Sequence, residues 1–141
     1  MGYGHGTGGI VGDFNGDGKL DIAICDTYGN STVSILLGDG AGNFTIASGS
    51  PISVGKQPRA IVAGDFHNDG KLDLAVANYG DGKVTPLLGN GVGTFSEASG
   101  LPYAVGKTPF SIAAADFNRD GKLDLATVNV LDGTGTASIL L

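Results

Sequence analysis

Three near-copies of one acidic segment divide the chain and restrict what it can fold into. The segments GDFNGDGKLDIAICD, GDFHNDGKLDLAVAN and ADFNRDGKLDLATVN begin at Gly12, Gly64 and Ala115, so they are spaced 52 and then 51 residues apart. The stretches between them repeat as well, because STVSILLGDGAGNFT from Ser31 matches GKVTPLLGNGVGTFS from Gly82. A repeat of this length predicts one supersecondary unit that recurs and buries its apolar surface against its neighbours.

Each unit predicts a four-stranded antiparallel sheet. Short apolar runs rich in Val, Ile, Leu, Ala and Thr alternate with Gly, Asn and Asp, which is typical of strands joined by tight turns. No stretch has a sustained helical period, so little helix is expected. For the second unit we predict strand A at about 60–66, strand B at 73–78, strand C at 83–88 and strand D at 94–98.

Strand B is predicted to be buried on both faces. Its sequence LDLAVAN places Leu74 and Val76 on one face and Ala75 and Ala77 on the other, and all four are apolar. Repeated sheets that are buried on both sides are what stacked β-propeller blades require. The predicted fold class is therefore all-β, with three propeller blades of about 51 residues, and a solenoid of sheets is the alternative.

We predict a single repeat domain over residues 1–141, with blade 1 at about 1–52, blade 2 at about 53–104 and blade 3 at about 105–141. We expect blade 3 to lack its outer strand. Closed propellers have about four to eight blades, so three blades leave two apolar faces open. This predicts either a homo-oligomer, preferably a dimer that closes a six-bladed ring, or truncation of a larger ring.

Each unit also contains the pattern D-x-[N/H]-x-D-G-x-x-D, whose residues we number 1 to 9. Oxygen donors at positions 1, 3 and 5 converge when the backbone turns sharply, and the glycine at position 6 permits that turn. Position 7 would offer its backbone carbonyl while its lysine ammonium points to solvent, and the Asp at position 9 would close the shell. The predicted metal ligands are Asp13, Asn15, Asp17, Lys19 and Asp21; Asp65, His67, Asp69, Lys71 and Asp73; and Asp116, Asn118, Asp120, Lys122 and Asp124.

Calcium is the predicted ion, with up to three bound, one in each repeat. The pattern resembles the first half of an EF-hand loop, but position 12 is Ile24, Val76 or Thr127 in a predicted strand instead of a bidentate Glu. Hard oxygen ligands with room for many contacts favour calcium over magnesium or manganese. The alternative is a hairpin rich in Asp, Asn and Gly that binds no metal.

The charge of the loops supports a bound cation, and one loop differs from the others. Nine of the fourteen acidic residues lie in the three patterns, and three calcium ions would bring the formal net charge from −6 to 0. Position 3 of the second loop is His67, and imidazole is a poor ligand for a hard cation. We predict a weaker or water-completed second site, and the alternative is a His67 side chain that turns away.

Composition excludes several classes of partner. Eight scattered Lys and Arg residues and a net charge of −6 argue against nucleic-acid binding. The apolar runs are too short to span a bilayer, and no signal peptide is recognisable at the N-terminus. The lone cysteine, Cys25, excludes an internal disulfide and a cysteine-based zinc site, and its apolar surroundings predict a small buried hydrophobe.

The sequence resembles the FG-GAP/VCBS repeat family, the integrin-α-like calcium-binding β-propeller repeats. The resemblance lies in VAGDFHNDGKLDLAVAN at Val62, LLGNGVGTF at Leu88 and YAVGKTPFSI at Tyr103, with their counterparts in the other units. It implies calcium between strands A and B and a secreted or cell-surface protein whose propeller displays loops for binding. Two departures lead to further predictions: Pro86 in strand C predicts a bulge, and the poorly matching start MGYGHGTGG predicts a short inner strand in blade 1.

The predicted function is a non-enzymatic calcium-binding repeat module with a structural or interaction role and a possible protein or glycan ligand. The first alternative is a propeller-type lectin, for which Tyr28, Tyr79 and Tyr103 are the candidate aromatic platforms. The second, a propeller hydrolase or lyase, lacks support because no cluster of catalytic residue types interrupts the repeats. No catalytic residue is therefore predicted.

Overall fold

The computed structural model describes residues 8–98, 102–131 and 134–141 of the chain. Among these residues the regular structure consists of thirteen β-strands in three antiparallel sheets, and no helix occurs. The first sheet contains β1 (Gly9–Gly12), β2 (Asp21–Asp26), β3 (Thr32–Gly38), β4 (Phe44–Ile46) and β5 (Ile52–Ser53). The second contains β6 (Pro58–Gly64), β7 (Asp73–Asn78), β8 (Lys83–Gly89), β9 (Phe95–Glu97) and β10 (Tyr103–Ala104). The third contains β11 (Pro109–Ala115), β12 (Asp124–Leu131) and β13 (Thr134–Leu140).

The three sheets share one topology, in which three strands lie side by side in chain order. Strand A is β1, β6 or β11, strand B is β2, β7 or β12, and strand C is β3, β8 or β13. The outer strand D is split, because β4 and β5 both pair with β3, and β9 and β10 both pair with β8. Of the predicted strands in the second sheet, B is confirmed at both ends, whereas C extends by one residue. Strand A begins and ends two residues before the predicted positions, and strand D is shorter than predicted and followed by a second outer segment.

The prediction of a bulge at Pro86 is wrong. Pro86 lies opposite Ala75 in a continuous register between β7 and β8. The first sheet explains why proline fits, since the amide of Ile35 at the corresponding position donates to the hydroxyl of Ser50 (2.8 Å) and not to a neighbouring strand. The position faces the break in strand D, so proline removes no ladder hydrogen bond. The register shifts instead at the start of strand A, between Pro58 and Ala60 and at the equivalent point of β11.

The second sheet lies between the other two, and its strand B is the most deeply buried. Every residue of β7 is buried, which confirms the prediction that both faces are covered. One core cluster joins the first and second sheets around Val33 and Leu74, and another joins the second and third around Ala75 and Leu125. Cys25 is 1% exposed and lies in the first cluster, as predicted.

Neighbouring sheets meet through corresponding contacts. A Cβ placed on Gly12 would lie 3.0 Å from Leu72 of the next sheet, and one on Gly64 would lie 2.7 Å from Leu123 of the sheet after it. The Thr27 hydroxyl of the first sheet also donates to the carbonyl of Pro58 in the second (2.6 Å). The sheets therefore stack as propeller blades do, although three of them do not close a ring by themselves.

The inner strand of the first sheet is short, as predicted. β1 has four residues, whereas β6 and β11 have seven each. Most of the glycine-rich start, residues 1–7, lies outside the described residues. Within the part of the chain that the structure describes, no helix is long and apolar enough to cross a membrane.

Candidate metal centre

The three acidic patterns form the loops between strands A and B. Each loop begins after β1, β6 or β11, and its position 9 is the first residue of β2, β7 or β12. Position 12 lies inside the following strand in every case, as predicted, which distinguishes these loops from EF-hands. The structure therefore brings the predicted ligand positions of each repeat into one hairpin loop.

The carboxylate at position 1 organises each loop. Asp13 accepts hydrogen bonds from the amides of Gly16 (2.7 Å), Asp17 (3.1 Å) and Gly18 (2.8 Å). Gly18 has a φ of 79°, a conformation that glycine adopts without steric cost. The bond between positions 1 and 6 recurs between Asp65 and Gly70 (2.8 Å) and between Asp116 and Gly121 (2.9 Å). All three loops thus share one sharply turned backbone.

The oxygens at positions 3 and 5 are held by short-range hydrogen bonds. In the first loop Asn15 accepts from the amide of Asp17 (3.0 Å), and Asp17 accepts from the amide of Lys19 (2.9 Å). The bond from the Lys19 amide is the main reason why the pKa of Asp17 is lowered. The third loop has the same pair of bonds at Asn118 and Asp120 (both 2.9 Å). The side chains therefore point their oxygens into the loop before any ligand is considered.

The lysines at position 7 of the first and second loops form ion pairs within their loops. The ammonium of Lys19 lies 3.3 Å from a carboxylate oxygen of Asp17, and that of Lys71 lies 2.9 Å from Asp69. Both lysine side chains are exposed to solvent, and in the first and second loops each ammonium also forms an ion pair with the position 5 carboxylate. An ammonium in this place competes with a cation for the same oxygen.

The aspartate at position 9 has a role that the sequence did not reveal. Asp21 is fully buried, and its two oxygens accept from the amide of Phe14 (2.9 Å) and from that of Gly38 at the end of β3 (2.8 Å). The second loop repeats this arrangement, because Asp73 accepts from Phe66 (3.0 Å) and Gly89 (2.8 Å). The carboxylate therefore connects the start of the loop to the end of strand C.

The glycine at the end of strand C was the available signal for that connection. Gly38 ends STVSILLG and Gly89 ends GKVTPLLG. A Cβ on either glycine would collide with the carbonyl oxygen of the residue before the position 9 aspartate, Leu20 or Leu72. Only glycine lets strand C approach the loop closely enough for the amide to reach the carboxylate.

His67 faces the carboxylates of its loop and does not turn away. Its Nδ1 lies 2.6 Å from Asp73, and its Nε2 lies 3.4 Å from Asp69. The hydrogen bond to Asp73, with the nearby negative charges, raises the pKa of His67. Asp65, His67 and Asp73 place potential ligand atoms within 4.8 Å of one another.

The donor sets of the first and third loops fit a hard cation better than that of the second loop. The first and third loops offer carboxylate and amide oxygens, which suit calcium. In the second loop an imidazole nitrogen replaces the amide oxygen and already forms a hydrogen bond with Asp73. A cation there would have to compete with that bond.

The three tyrosines considered for sugar binding belong to three different parts of the fold. Tyr28 follows β2 and is 61% exposed, whereas Tyr103 lies in β10 and is 47% exposed. Tyr79 follows β7, and the guanidinium of Arg59 lies 5.4 Å from its ring centroid. The same guanidinium lies 3.7 Å from the ring centroid of Phe110. Tyr79 therefore takes part in a stack between the second and third sheets.

Stacked antiparallel sheets with one common strand order, each with an oxygen-rich loop between strands A and B, define a protein of the β-propeller repeat class. The model of the FG-GAP-like repeat matches residues 13–76 and 65–127, and the chain belongs to this family. Each match runs from position 1 of one loop to position 12 of the next, so the motif and the family coincide. A comparison with curated proteins gives no match. FG-GAP repeats in general bind calcium and are typical of structural or interaction modules in extracellular or surface proteins.

Proposed function

We propose that this chain is a calcium-stabilised, non-enzymatic repeat module with a structural or interaction role, secreted or displayed at the cell surface. The observation that supports this most directly is the loop between strands A and B. It occurs three times with the same bond between positions 1 and 6. The usual properties of the FG-GAP-like repeat family support the same role and location.

The side chains at positions 1, 3, 5 and 9 and the carbonyl at position 7 would hold the ion. Calcium supplies positive charge among carboxylates that otherwise repel one another. Because the loop joins strand A to strand B, and Asp21 also bonds to the end of β3, holding the loop stabilises three strands of the sheet. Binding free energy then becomes folding free energy.

Thermal unfolding with and without calcium tests this proposal. At a calcium concentration about 100 times Kd, each site would stabilise the fold by about 2.7 kcal/mol. A triple variant that replaces Asp13, Asp65 and Asp116 with Ala should lose the calcium-dependent part of this gain. The matched control is Asp39→Asn, in the exposed turn after β3, which should keep the calcium-dependent gain. A melting temperature that is the same in calcium and in EDTA would contradict the proposal.

The second loop should bind calcium more weakly than the other two. Its His67 offers a nitrogen and forms a 2.6 Å hydrogen bond with Asp73. Calorimetric titration should therefore give two tighter sites and a weaker one. His67→Asn would give the loop the same position 3 residue as the first and third loops and should tighten the weak site. Equal occupancy of all three sites in the unaltered chain at low calcium would oppose this assignment.

We also propose that two copies of the chain associate to close a six-bladed ring. The support is an exposed surface on the first sheet whose counterparts in the later sheets lie against a neighbour. Leu20 is 65% exposed, whereas its counterparts Leu72 and Leu123 lie near Gly12 and Gly64 of the preceding sheets. An exposed apolar face of this kind is typical of an interaction surface.

Mass measurement by light scattering tests the ring. We expect the mass of a dimer, and Leu20→Asp should shift it towards the monomer because a charge would be buried at the contact. Val92→Asp is the matched control, since Val92 is 67% exposed in the turn between strands C and D of the second sheet. A monomer at every concentration would rule out the ring.

A further inference from the structure

The side chain at position 3 has a different partner in the second acidic loop than in the other two. In the first and third loops the amide oxygens of Asn15 and Asn118 accept from the backbone amide of position 5 (3.0 and 2.9 Å). The imidazole of His67 turns instead to the carboxylate at position 9, with its Nδ1 2.6 Å from Asp73. The second loop therefore places a nitrogen donor directly against a buried carboxylate.

This nitrogen belongs to a group of three potential ligands. Asp65, His67 and Asp73 each offer one ligand atom, and these atoms lie within 4.8 Å of one another. Imidazole nitrogen suits zinc and related first-row transition ions, and zinc also binds carboxylate oxygens in proteins. A set of one imidazole and two carboxylates thus fits such an ion better than it fits calcium, which prefers oxygen ligands alone.

The carboxylate at position 5 of this loop is already engaged by Lys71. One oxygen of Asp69 accepts from the backbone amide of Lys71 (3.0 Å), and the other lies 2.9 Å from its ammonium. The first loop has the same pair of contacts at Asp17, so the nitrogen of His67 is what distinguishes the second loop. With Asp69 paired, three protein donors remain, which is the number in a zinc site that keeps one open position.

The fold holds the two carboxylates of the group in place. Asp65 accepts from the amides of Asp69 (3.0 Å) and Gly70 (2.8 Å). Asp73 is fully buried and accepts from the amides of Phe66 (3.0 Å) and Gly89 (2.8 Å). Hydrogen bonds of this kind orient metal ligands and are part of a metal site. Both carboxylates are therefore positioned by the backbone itself.

The other nitrogen of His67 also has a suitable partner. Its Nε2 lies 3.4 Å from the carboxylate of Asp69. When Nδ1 gives its electron pair to an ion, the ring proton is carried on Nε2. A histidine that binds a metal commonly donates its second N–H to a carboxylate, which fixes the tautomer and the direction of the ring. Asp69 is placed to accept that bond.

We propose that the second loop selects a first-row transition ion, with zinc as the representative, over calcium, and binds it through His67, Asp65 and Asp73. The charge of a divalent ion balances the two carboxylates, and the ion takes the place of the hydrogen bond between Nδ1 and Asp73. This inference rests on the proposal that the acidic loops hold cations, but it assigns a different ion to the second loop.

Calorimetric titration of the full chain with zinc in millimolar calcium tests the selectivity. We expect one zinc ion per chain, bound at least about tenfold more weakly by the His67→Asn variant. That variant should fold, because asparagine occupies position 3 in the other two loops. His5→Asn is the matched control, since it replaces the other histidine of the sequence and should leave zinc binding unchanged.

Cobalt(II) provides a second readout, because its visible absorption reports the ligands of the ion. We expect the unaltered chain and His5→Asn to develop the same cobalt bands, and His67→Asn to lack them. Zinc should abolish the bands, whereas an equal concentration of calcium should leave them unchanged.

Three results would overturn the proposal. The first is no zinc binding at micromolar concentrations, and the second is equal zinc affinity in His67→Asn and the unaltered chain. The third is displacement of cobalt by an equal concentration of calcium. A melting temperature that does not respond to calcium would contradict the calcium proposal without changing these zinc and cobalt readouts, so the two failures are distinguishable.

Discussion

The carboxylate of Asp21 accepts a hydrogen bond from the backbone amide of Gly38 at 2.8 Å, across seventeen residues of sequence. The other oxygen of the same carboxylate accepts from the amide of Phe14 (2.9 Å). A residue that the pattern assigns to a metal shell therefore also closes the sheet. Buried amides that lose such an acceptor are left without a partner, which is costly.

We expect Asp21→Ala to lower the free energy of unfolding by about 3 kcal/mol, because two buried amides would lose a charged acceptor. The effect should persist in EDTA, since these bonds involve no cation. Denaturant unfolding in EDTA and in calcium measures it. Asp17→Ala is the control, because Asp17 is exposed and accepts hydrogen bonds from Lys19 of its own loop. Its substitution should therefore lower the free energy of unfolding in EDTA by less. Equal losses for the two variants in EDTA would contradict a closing role for Asp21.

We expect Phe95→Ala to cost about 3 kcal/mol or more, because the ring is buried between two sheets and its loss leaves a cavity. Phe95 is 7% exposed and packs against Phe14. Its repeat counterpart Phe44 is 43% exposed, so Phe44→Ala should cost about 1 kcal/mol or less. Chemical denaturation of both variants makes the comparison. If the two cost the same, the stacking of the first and second sheets would not depend on this contact.

Much of the fold could be predicted because the repeats supply three versions of each element. Strand B of the second sheet was predicted at both ends, since it begins at the position 9 aspartate and ends at Asn78 before a turn. The location of the acidic loops followed from the same repeats, because position 12 is apolar or Thr in all three. Residue types that recur at the same position in all three repeats indicate what the fold requires, whereas those that differ between repeats do not.

The features that could not be predicted depend on contacts between residues far apart in the sequence. The split of strand D becomes visible only in the structure, where the amide of Ile35 donates to the hydroxyl of Ser50 and β4 and β5 pair with different parts of β3. The double role of Asp21 requires the position of Gly38 in space, which neither the loop nor strand C reveals alone. The direction of the Lys19 ammonium depends on local charge, and the pattern contains no information about it.

Position 4 of the acidic loops gives a stabilising prediction. The backbone there is left-handed in all three loops, with φ of 76° at Gly16, 58° at Asn68 and 64° at Arg119. A large residue in this conformation costs about 1 kcal/mol, so Arg119→Gly should raise the melting temperature by a few degrees. Arg119→Ala is the control, because it removes the guanidinium but keeps the Cβ. An equal gain from the alanine variant would show that the guanidinium and not the backbone was responsible.

The single thiol should be almost unreactive in the folded chain. Burial raises the pKa of Cys25 to about 12, because the thiolate would lose its hydration between the sheets. At pH 8 roughly one thiol in ten thousand would then be ionised in the folded chain, against about one in four in the unfolded chain. We expect reaction with a chromogenic disulfide reagent to be more than about a hundredfold slower in native buffer than in denaturing guanidinium, since only the thiolate attacks. Cys25 is the only cysteine, so the signal has one source. Rapid labelling in native buffer would mean that β2 opens readily and would contradict the tight contact between the first two sheets.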